Sequence, residues 1–314
     1  MALHDNAAGG AGTRGTSADT LATFESYRAY LFAIAYRMLG SAMDAEDMVQ
    51  ETWLRYQATP RETIAAPKAF LTTILTRLCV DQLNLARRTR EVYPGPWLPE
   101  PILTEGATAG AASADPAQRL DLDESLSLAF LTLLEELAPV ERAVFLLREV
   151  FDYEYAEIAA FLGHSEPAIR QSFSRAKKHL AERRPRFPVS PDRRSQLLTS
   201  FIQAAGSGDM TALIAMLAED VTLWADAGGK VKGAATRPVV GRQAVASFVV
   251  GAGRFAPSDY RLEVATVNRQ PALLVRTDEG VYLVLTIELD AAGLISSVRV
   301  IANPDKLTHV NHAN

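Results

Sequence analysis

The chain has 314 residues, enough for two or three domains, and 48% of them are hydrophobic against 22% charged, a balance typical of globular proteins. Its one cysteine, Cys79, excludes an internal disulfide framework and a cysteine-built zinc site, and no apolar run reaches the length of a membrane span. The formal net charge of −5 does not indicate a nucleic-acid-binding protein, but basic residues are concentrated in separate segments, and local charge decides contact with phosphate.

Shifts in composition divide the chain into a tail, three folded segments and a linker. Residues 1–20 are rich in Gly, Ala, Thr and Ser and are expected to be disordered. Helical periodicity covers 21–92, a proline-rich and acidic stretch over 93–120 is typical of a linker, and a second helical block covers 121–186. Helical and then β-type patterns fill 193–308. Because the N-terminus lacks a signal pattern and the chain lacks disulfides, we expect a cytoplasmic protein.

The first helical block contains an acidic helix. Ser41 is suited to cap it, with Asp44 at the third helical position. Apolar residues recur on one face of this helix, whereas Asp44, Asp47 and Glu51 lie on another. By itself, this acidic face is typical of a solvated helix surface.

The next helix is predicted to begin near Pro67, because proline is favoured in a first helical turn. A polar stripe runs along it and ends in a basic group; its members are Thr73, Arg77, Asp81, Asn84, Arg87, Arg88 and Arg90. Such a stripe suits contact with both the backbone and the bases of a nucleic acid. A solvated helix face explains it equally well.

This block resembles region 2 of bacterial RNA polymerase sigma subunits. The resemblance is carried by Tyr-Arg-Met-Leu-Gly at 36–40, Asp-Ala-Glu-Asp-Met-Val-Gln-Glu at 44–51 and Leu-Cys-Val-Asp at 78–81. It implies that the acidic helix docks on the β′ clamp of core RNA polymerase through Asp44, Asp47, Gln50 and Glu51. It also implies that the later helix melts the −10 promoter element and reads it as single-stranded DNA, through Arg77, Asp81, Asn84, Arg87 and Arg88.

The second helical block predicts a helix-turn-helix. A helix opens at Pro139, a short helix spans 155–162, and Gly163 ends it. Ser165 then caps a third helix, which is apolar on one side. The opposite side carries polar residues that suit a helix in the major groove, namely Arg170, Gln171, Ser174, Arg175 and Lys178. The alternative is a basic, solvated helix in an all-α domain.

This block resembles sigma region 4, in Leu-Ala-Pro-Val-Glu-Arg at 137–142, Tyr-Ala-Glu-Ile-Ala at 155–159 and the helix at 168–180. The resemblance implies that the last helix reads the −35 promoter element and that the polymerase β flap is a further contact. Ala138 departs from the Ser or Thr that the family more often has, at a cost of about 1 kcal/mol of helix stability. A linker over 91–120 extends to roughly 100 Å, which spans promoter elements roughly 35–70 Å apart.

The C-terminal segment predicts an α+β domain. Helices are expected near 193–205, 209–218 and 241–252, with a Gly-rich loop before the third. Four β-rich runs follow, at 259–268, 271–277, 280–289 and 294–302.

Three short motifs occur in the linker and in this segment. The linker contains Trp97-Leu98-Pro99-Glu100-Pro101, and the C-terminal segment contains Asp226-Ala227-Gly228-Gly229-Lys230 and Asn303-Pro304-Asp305-Lys306-Leu307. In this order they resemble extracytoplasmic-function sigma factors with a C-terminal SnoaL-like domain, over about residues 21–310. Ala227 departs from the Gly that is usual in this group. The resemblance implies two all-α sigma domains followed by an NTF2-like cone, in which helices and a curved sheet enclose a pocket.

The expected function is therefore that of a sigma factor, which binds core RNA polymerase and promoter DNA and is regulated by its own C-terminal domain. The expected regulatory residues belong to the three motifs: Trp97, Pro99, Glu100, Asp226, Gly228, Gly229, Lys230, Asn303, Pro304, Asp305 and Lys306. We expect them to touch the linker or the helical domains. Removal of residues 303–314 is expected to change transcription and to leave a folded protein.

Two alternatives remain open. A ligand-sensing helix-turn-helix regulator would bind a small molecule in the C-terminal pocket and duplex DNA without polymerase, but it has no use for an acidic docking helix. A SnoaL-type enzyme fused to a DNA-binding module needs an acid/base set, and the body of this domain has no histidine. Asp226 and Lys230 are its best polar candidates, yet a loop Asp is more often a turn residue. We expect no catalysis, no cofactor and no metal.

Overall fold

A computed structural model describes residues 12–90, 92–104, 125–181 and 191–312. Two helical units precede a domain with a six-stranded sheet, which confirms the predicted fold class. The tail expected to be disordered lies partly outside the described residues, and from residue 12 onward it is helical. Within the described ranges, no helix is both long and apolar enough to cross a membrane.

The first helical unit consists of α1 (Gly12–Leu39), α2 (Ala42–Ala58) and α3 (Pro67–Arg90). Gly40 lies between α1 and α2 with φ +66°, a left-handed conformation that glycine adopts without strain. Ser41 caps α2, where its hydroxyl accepts a hydrogen bond from the Asp44 amide at 3.1 Å, as predicted. The tight turn at Gly40 brings α1 and α2 together around the buried Tyr36 and Tyr56.

The second helical unit consists of α4 (Leu128–Leu134), α5 (Pro139–Glu149), α6 (Tyr155–Leu162) and α7 (Glu166–Ala181). Gly163 ends α6 in the left-handed conformation, so α6 and α7 form the predicted helix-turn-helix. Ala138 makes no side-chain capping bond to α5. Leu131, Leu146 and Ala176 belong to the same hydrophobic cluster as the α1–α3 core, so the two helical units share one interior.

The third unit is the α+β domain. Its helices are α8 (Pro191–Ser207), α9 (Met210–Met216), α10 (Arg242–Ala252) and α11 (Pro304–His312). Its strands are β1 (Leu217–Asp226), β2 (Val239–Val240), β3 (Arg261–Val267), β4 (Gln270–Thr277), β5 (Gly280–Leu289) and β6 (Ile295–Ile301). The strand order is β2-β1-β6-β5-β4-β3, and β1 pairs with β6 in parallel while the other pairs are antiparallel.

Two elements of this domain differ from expectation. Strand β1 occupies a segment that was predicted to be the end of a helix and a loop. In the structure the helix ends at Met216, and β1 follows with alternating buried residues such as Val221, Leu223 and Ala225. The expected C-terminal tail is helix α11. It buries Leu307 and Val310 against one face of the sheet, so removal of residues 303–314 would open the hydrophobic interior.

Candidate functional site

The acidic helix α2 presents its four candidate residues along one side. Asp47 and Gln50 are exposed, whereas Asp44 and Glu51 are half-buried. Glu51 forms an ion pair with Arg55, one helical turn away, at 2.8 Å. This side of α2 is open for a partner that carries positive charge.

Helix α3 places its candidate DNA contacts in different surroundings. Asp81 and Asn84 are exposed, but Arg77 reaches across to the second helical unit. Its Nε donates to the carbonyl oxygen of Phe161 at 2.6 Å, and its Nη2 donates to that of Ala160 at 3.2 Å. These carbonyls end α6, where the helix dipole favours a cation. Arg77 therefore joins the two helical units in this arrangement.

Two further candidates, Arg87 and Arg88, belong to α3, but their side chains lie outside the described residues.

Helix α7 presents all five of its candidates to solvent: Arg170, Gln171, Ser174, Arg175 and Lys178. Arg170 lies over the Tyr155 ring at 4.3 Å and pairs with Glu166. Arg175 pairs with Glu141 of α5 at 2.8 Å. The side chains form a polar and basic surface opposite the buried Ile169 side of the helix.

The linker is bound to the C-terminal domain through a buried carboxylate. Asp226, at the end of β1, is 0% exposed and accepts hydrogen bonds from the Tyr93 hydroxyl at 2.5 Å and the Leu98 amide at 2.8 Å. Lys306 donates to Asp226 Oδ2 at 2.7 Å and to the Leu98 carbonyl at 2.5 Å. Its ammonium group also lies 4.0 Å from the centre of the Trp97 ring. We call these five residues, together with Asn303, the linker clasp.

The other motif residues support the linker clasp. The Asn303 amide donates to the Asp226 carbonyl at 2.9 Å, and its side chain donates to the Tyr93 hydroxyl at 2.9 Å. Gly228 has φ +57°, and a Cβ there would lie 2.6 Å from Asn303 Nδ2, so only glycine fits. Lys230 and Asp305 form an exposed ion pair at 2.5 Å.

Two motif residues, Gly229 and Pro304, have backbone roles: Gly229 packs on Pro94 of the linker, and Pro304 is the first residue of α11.

Glu100 connects the same linker to the first helical unit. Its buried carboxylate accepts hydrogen bonds from the Ser41 hydroxyl at 2.8 Å and from the Ala42 amide at 2.7 Å, at the N-terminus of α2. The positive end of the helix dipole stabilises a carboxylate in this position. Trp97 and Pro99 of the same motif pack against Gly40. One short linker segment is therefore fixed to both α2 and the C-terminal domain.

A residue that sequence reasoning missed joins three parts of the molecule. Asn268 lies in the turn between β3 and β4 with φ +51° and is fully buried. Its Oδ1 accepts from the Ile102 amide at 3.0 Å, and its Nδ2 donates to the Tyr36 hydroxyl at 2.7 Å and the Leu126 carbonyl at 2.8 Å. The sequence signals a turn here, since Asn tolerates this conformation, but it does not signal these partners.

The buried arginines Arg37 and Arg142 were also missed. Arg142 donates to the Met38 carbonyl at 2.7 Å and pairs with Glu135, and Arg37 donates to the Ser125 hydroxyl at 2.9 Å. They strengthen the contact between the two helical units.

The C-terminal domain encloses a cavity of about 250 Å³ between α8, α10 and the sheet. Neither Asp226 nor Lys230 lines it, and its walls contain no carboxylate and no imidazole among the described residues. The charged side chains of the linker clasp therefore lie outside the cavity.

Comparison with known proteins agrees with this architecture. Residues 23–89 match the family Sigma-70 region 2, and residues 127–180 match Sigma-70, region 4. The ECF RNA polymerase sigma factor SigJ of Mycobacterium tuberculosis is 35% identical over 91% of this chain and 92% of that protein. A probable ECF RNA polymerase sigma factor of the same organism, SigI, is 32% identical over 91% of this chain and 94% of that protein.

A solved structure extends the likeness to the whole fold. The crystal structure of M. tuberculosis extracytoplasmic function sigma factor SigJ matches with a TM-score of 0.69 and 33% identity, over 92% of this chain and 98% of that chain. The match covers the C-terminal domain as well as both helical units. From its two sigma regions and its full-length relatives, this chain belongs to the family of extracytoplasmic-function RNA polymerase sigma factors.

Proposed function

We propose that this sigma factor directs core RNA polymerase to promoters with two elements, and that its C-terminal domain holds the free protein in a resting arrangement. The observation that carries the second part is the linker clasp. A buried ion pair between Asp226 and Lys306 encloses the backbone of Leu98, in the segment that connects the two DNA-reading units.

The resting arrangement is incompatible with reading two separated promoter elements. Elements one to two duplex turns apart need readers roughly 35–70 Å apart, whereas here the two helical units share one hydrophobic core. Arg77, a proposed −10 contact together with Asp81, Asn84, Arg87 and Arg88, is bound to α6. Promoter recognition therefore requires the units to separate.

The first contact with polymerase does not require that separation. The α2 side that carries Asp44, Asp47, Gln50 and Glu51 faces solvent and is our proposed site for the β′ clamp. The proposed −35 contacts on α7, namely Arg170, Gln171, Ser174, Arg175 and Lys178, are exposed as well. We propose that polymerase binds the resting form through α2 and then draws the second unit toward its β flap.

We assign a sensory, non-enzymatic role to the C-terminal domain. Its cavity suits a small molecule in size and apolar character, but it has no carboxylate or imidazole among the described residues. Asp226, the best carboxylate candidate for catalysis in this domain, is bound by the linker and does not line the cavity.

Run-off transcription with purified core polymerase tests the proposal. Lys306→Met keeps the apolar length of the side chain and removes the charge of the linker clasp, so we expect more transcript than from the unaltered chain at limiting core polymerase. Lys230→Met is the matched control, because Lys230 forms only an exposed ion pair. We expect this substitution to leave the amount of transcript unchanged. Point substitution is preferable to removal of 303–314, since that removal takes away Leu307 and Val310.

Each result has a definite meaning. Promoter-specific transcripts that require the chain support the sigma role, and their absence with every variant, together with no binding to core polymerase, would refute it. Equal amounts of transcript from the Lys306→Met and Lys230→Met variants would agree with the sigma role and contradict the regulatory role of the linker clasp.

A further inference from the structure

The cavity of the C-terminal domain has an almost entirely apolar wall. It holds about 250 Å³, just under the roughly 300–1,000 Å³ of small-molecule pockets. Phe201 of α8, Phe248 of α10 and Leu273 and Leu285 of the sheet form its interior, and Lys232 is the one charged side chain among its lining residues. Polar groups of a ligand would find few partners inside and would pay for desolvation there.

Large apolar side chains surround the mouth of the cavity and remain in contact with water. Phe255 is 57% exposed, Tyr260 47% and Leu262 50%, and all three line the cavity. Lys232 is exposed as well, and its neighbour Gly233 lies against the Phe255 ring. Exposed apolar side chains beside a single cation indicate a site for a ligand with an apolar body and an anionic end.

We propose that this cavity binds an apolar small molecule that carries one carboxylate, with the apolar body inside and the carboxylate at the mouth beside Lys232. Tyr260 and Tyr282 are the other lining residues with polar side-chain groups in the described part of the chain. They suit one oxygen-bearing group and no more, which excludes sugars, nucleotides and other highly polar ligands.

The cavity also adjoins the linker clasp, so that an occupant affects the linker. Ala225 and Ala302 line the cavity, and the next residues along the chain, Asp226 and Asn303, belong to the linker clasp. The two segments are neighbours in the sheet, since the backbone amides of Ala302 and Asn303 both donate to the Asp226 carbonyl, at 2.7 and 2.9 Å. An occupant adds contacts to the ends of β1 and β6 and thereby stabilises the closed clasp. The coupling between the cavity and the linker clasp rests on the proposed resting arrangement, whereas the binding of a ligand in the cavity does not.

Isothermal titration of the full chain with decanoate tests binding without polymerase. Val249→Trp fills the cavity from α10, and Ala252→Phe fills it near the mouth should the first variant fail to fold. We expect either to weaken binding at least tenfold, whereas Val240→Trp, outside the cavity, leaves it unchanged. Lys232→Met should weaken decanoate about tenfold and leave 1-decanol unaffected, and Arg237→Met should affect neither.

Hydrogen exchange at the Leu98 amide, which donates to Asp226, tests the coupling. Saturating decanoate should slow this exchange, and Lys306→Met, which loosens the clasp, should weaken decanoate binding, because coupling between two sites is reciprocal. No binding of decanoate, or equal binding by the filled variants, overturns the ligand site. Binding without any change at Leu98 overturns the coupling, while the transcription assay judges the sigma role separately.

Discussion

At the scale of single residues, the carboxylate of Asp226 is satisfied entirely by the protein. It is fully buried and accepts from the Tyr93 hydroxyl, the amides of Leu98 and Gly228 and the Lys306 ammonium. Burial and this carboxylate hold the pKa of Tyr93 above its ordinary value, so the phenol stays a donor. Removal of one partner of a buried pair leaves an uncompensated charge, which costs far more than an exposed pair contributes.

The first prediction concerns this pair. Lys306→Met should lower the free energy of unfolding by about 3 kcal/mol, measured as a shift in the urea transition of the C-terminal domain. Adding Asp226→Asn removes the unpaired charge, so the double variant should be more stable than the sum of the single changes predicts. Strict additivity in this double-mutant cycle would show that the two groups do not interact.

The second prediction concerns the thiol of Cys79. Burial in the core of the first helical unit raises its pKa and keeps it protonated, although the thiolate is the reactive form. At pH 8 a disulfide reagent should leave the native chain unmodified and should label the urea-unfolded chain completely. Ser174→Cys, an exposed position on α7, provides the positive control. Rapid reaction of native Cys79 would contradict the burial.

At the scale of elements, the β3–β4 turn acts as a connector between domains. Asn268 at this turn bonds to the linker, to α1 and to the segment before α4, so three chain segments meet at one side chain. The backbone bond from the Asn268 amide to the Ile102 carbonyl, at 2.9 Å, holds the turn in place. The connection depends on side-chain hydrogen bonds of a residue with positive φ.

The third prediction separates these two properties. Asn268→Gly keeps the left-handed turn and removes three side-chain hydrogen bonds of about 1 kcal/mol each. We expect faster hydrogen exchange at the Ile102 amide and a lower urea midpoint. Asp152→Gly, at an exposed position with φ +56°, should leave both unchanged or raise the midpoint. Equal effects of the two substitutions on the midpoint would mean that the backbone freedom of glycine, and not the lost Asn268 side chain, accounts for the change.

Elements with strong local signals could be predicted from the sequence. Pro139 predicted the first residue of α5, and Gly163 predicted the end of α6; in the structure α5 begins at Pro139 and Gly163 caps the end of α6. Strand β1 could not be predicted in this way, because it opens with Leu217-Ala218-Glu219-Asp220, which continues a helical pattern, and its parallel partner β6 is far away in the chain.

The site was predictable in its parts and not in its connections. The three motifs pointed to Asp226, Lys306 and Glu100, but no local pattern indicates that Glu100 caps α2 or that Asp226 and Lys306 enclose Leu98. Such pairings arise only from the tertiary fold, which here brings together residues 58 to 208 positions apart. Asn268 was missed for the same reason.

At the scale of the whole molecule, the two helical units behave as one body while Arg77 and the shared core hold them together. The Tyr30 and Tyr153 hydroxyls, 2.6 Å apart, add a bond across the same contact. The promoter recognition that we propose requires this contact to break, so polymerase and DNA would have to supply the free energy of the contact.

The fourth prediction follows this separation directly. Dyes on Glu62→Cys and Ala181→Cys, two exposed positions on different units, should show high energy transfer in the free chain and lower transfer after core polymerase is added. The buried Cys79 does not compete for label. Arg77→Ala should lower the transfer of the free chain, and Arg55→Ala should not. Constant transfer on polymerase binding would contradict the opening.

The position of Lys306 also fixes an order of events during synthesis. Both helical units, up to Ala181, leave the ribosome before Asp226 is made, and Lys306 follows still later. At about 5–20 residues per second, the interval between Ala181 and Lys306 lasts roughly 6–25 s. During that interval a nascent chain carries both helical units without the linker clasp. Under the resting arrangement that we propose, early termination downstream of Ala181 would release a sigma factor that only the contact between its two helical units keeps closed.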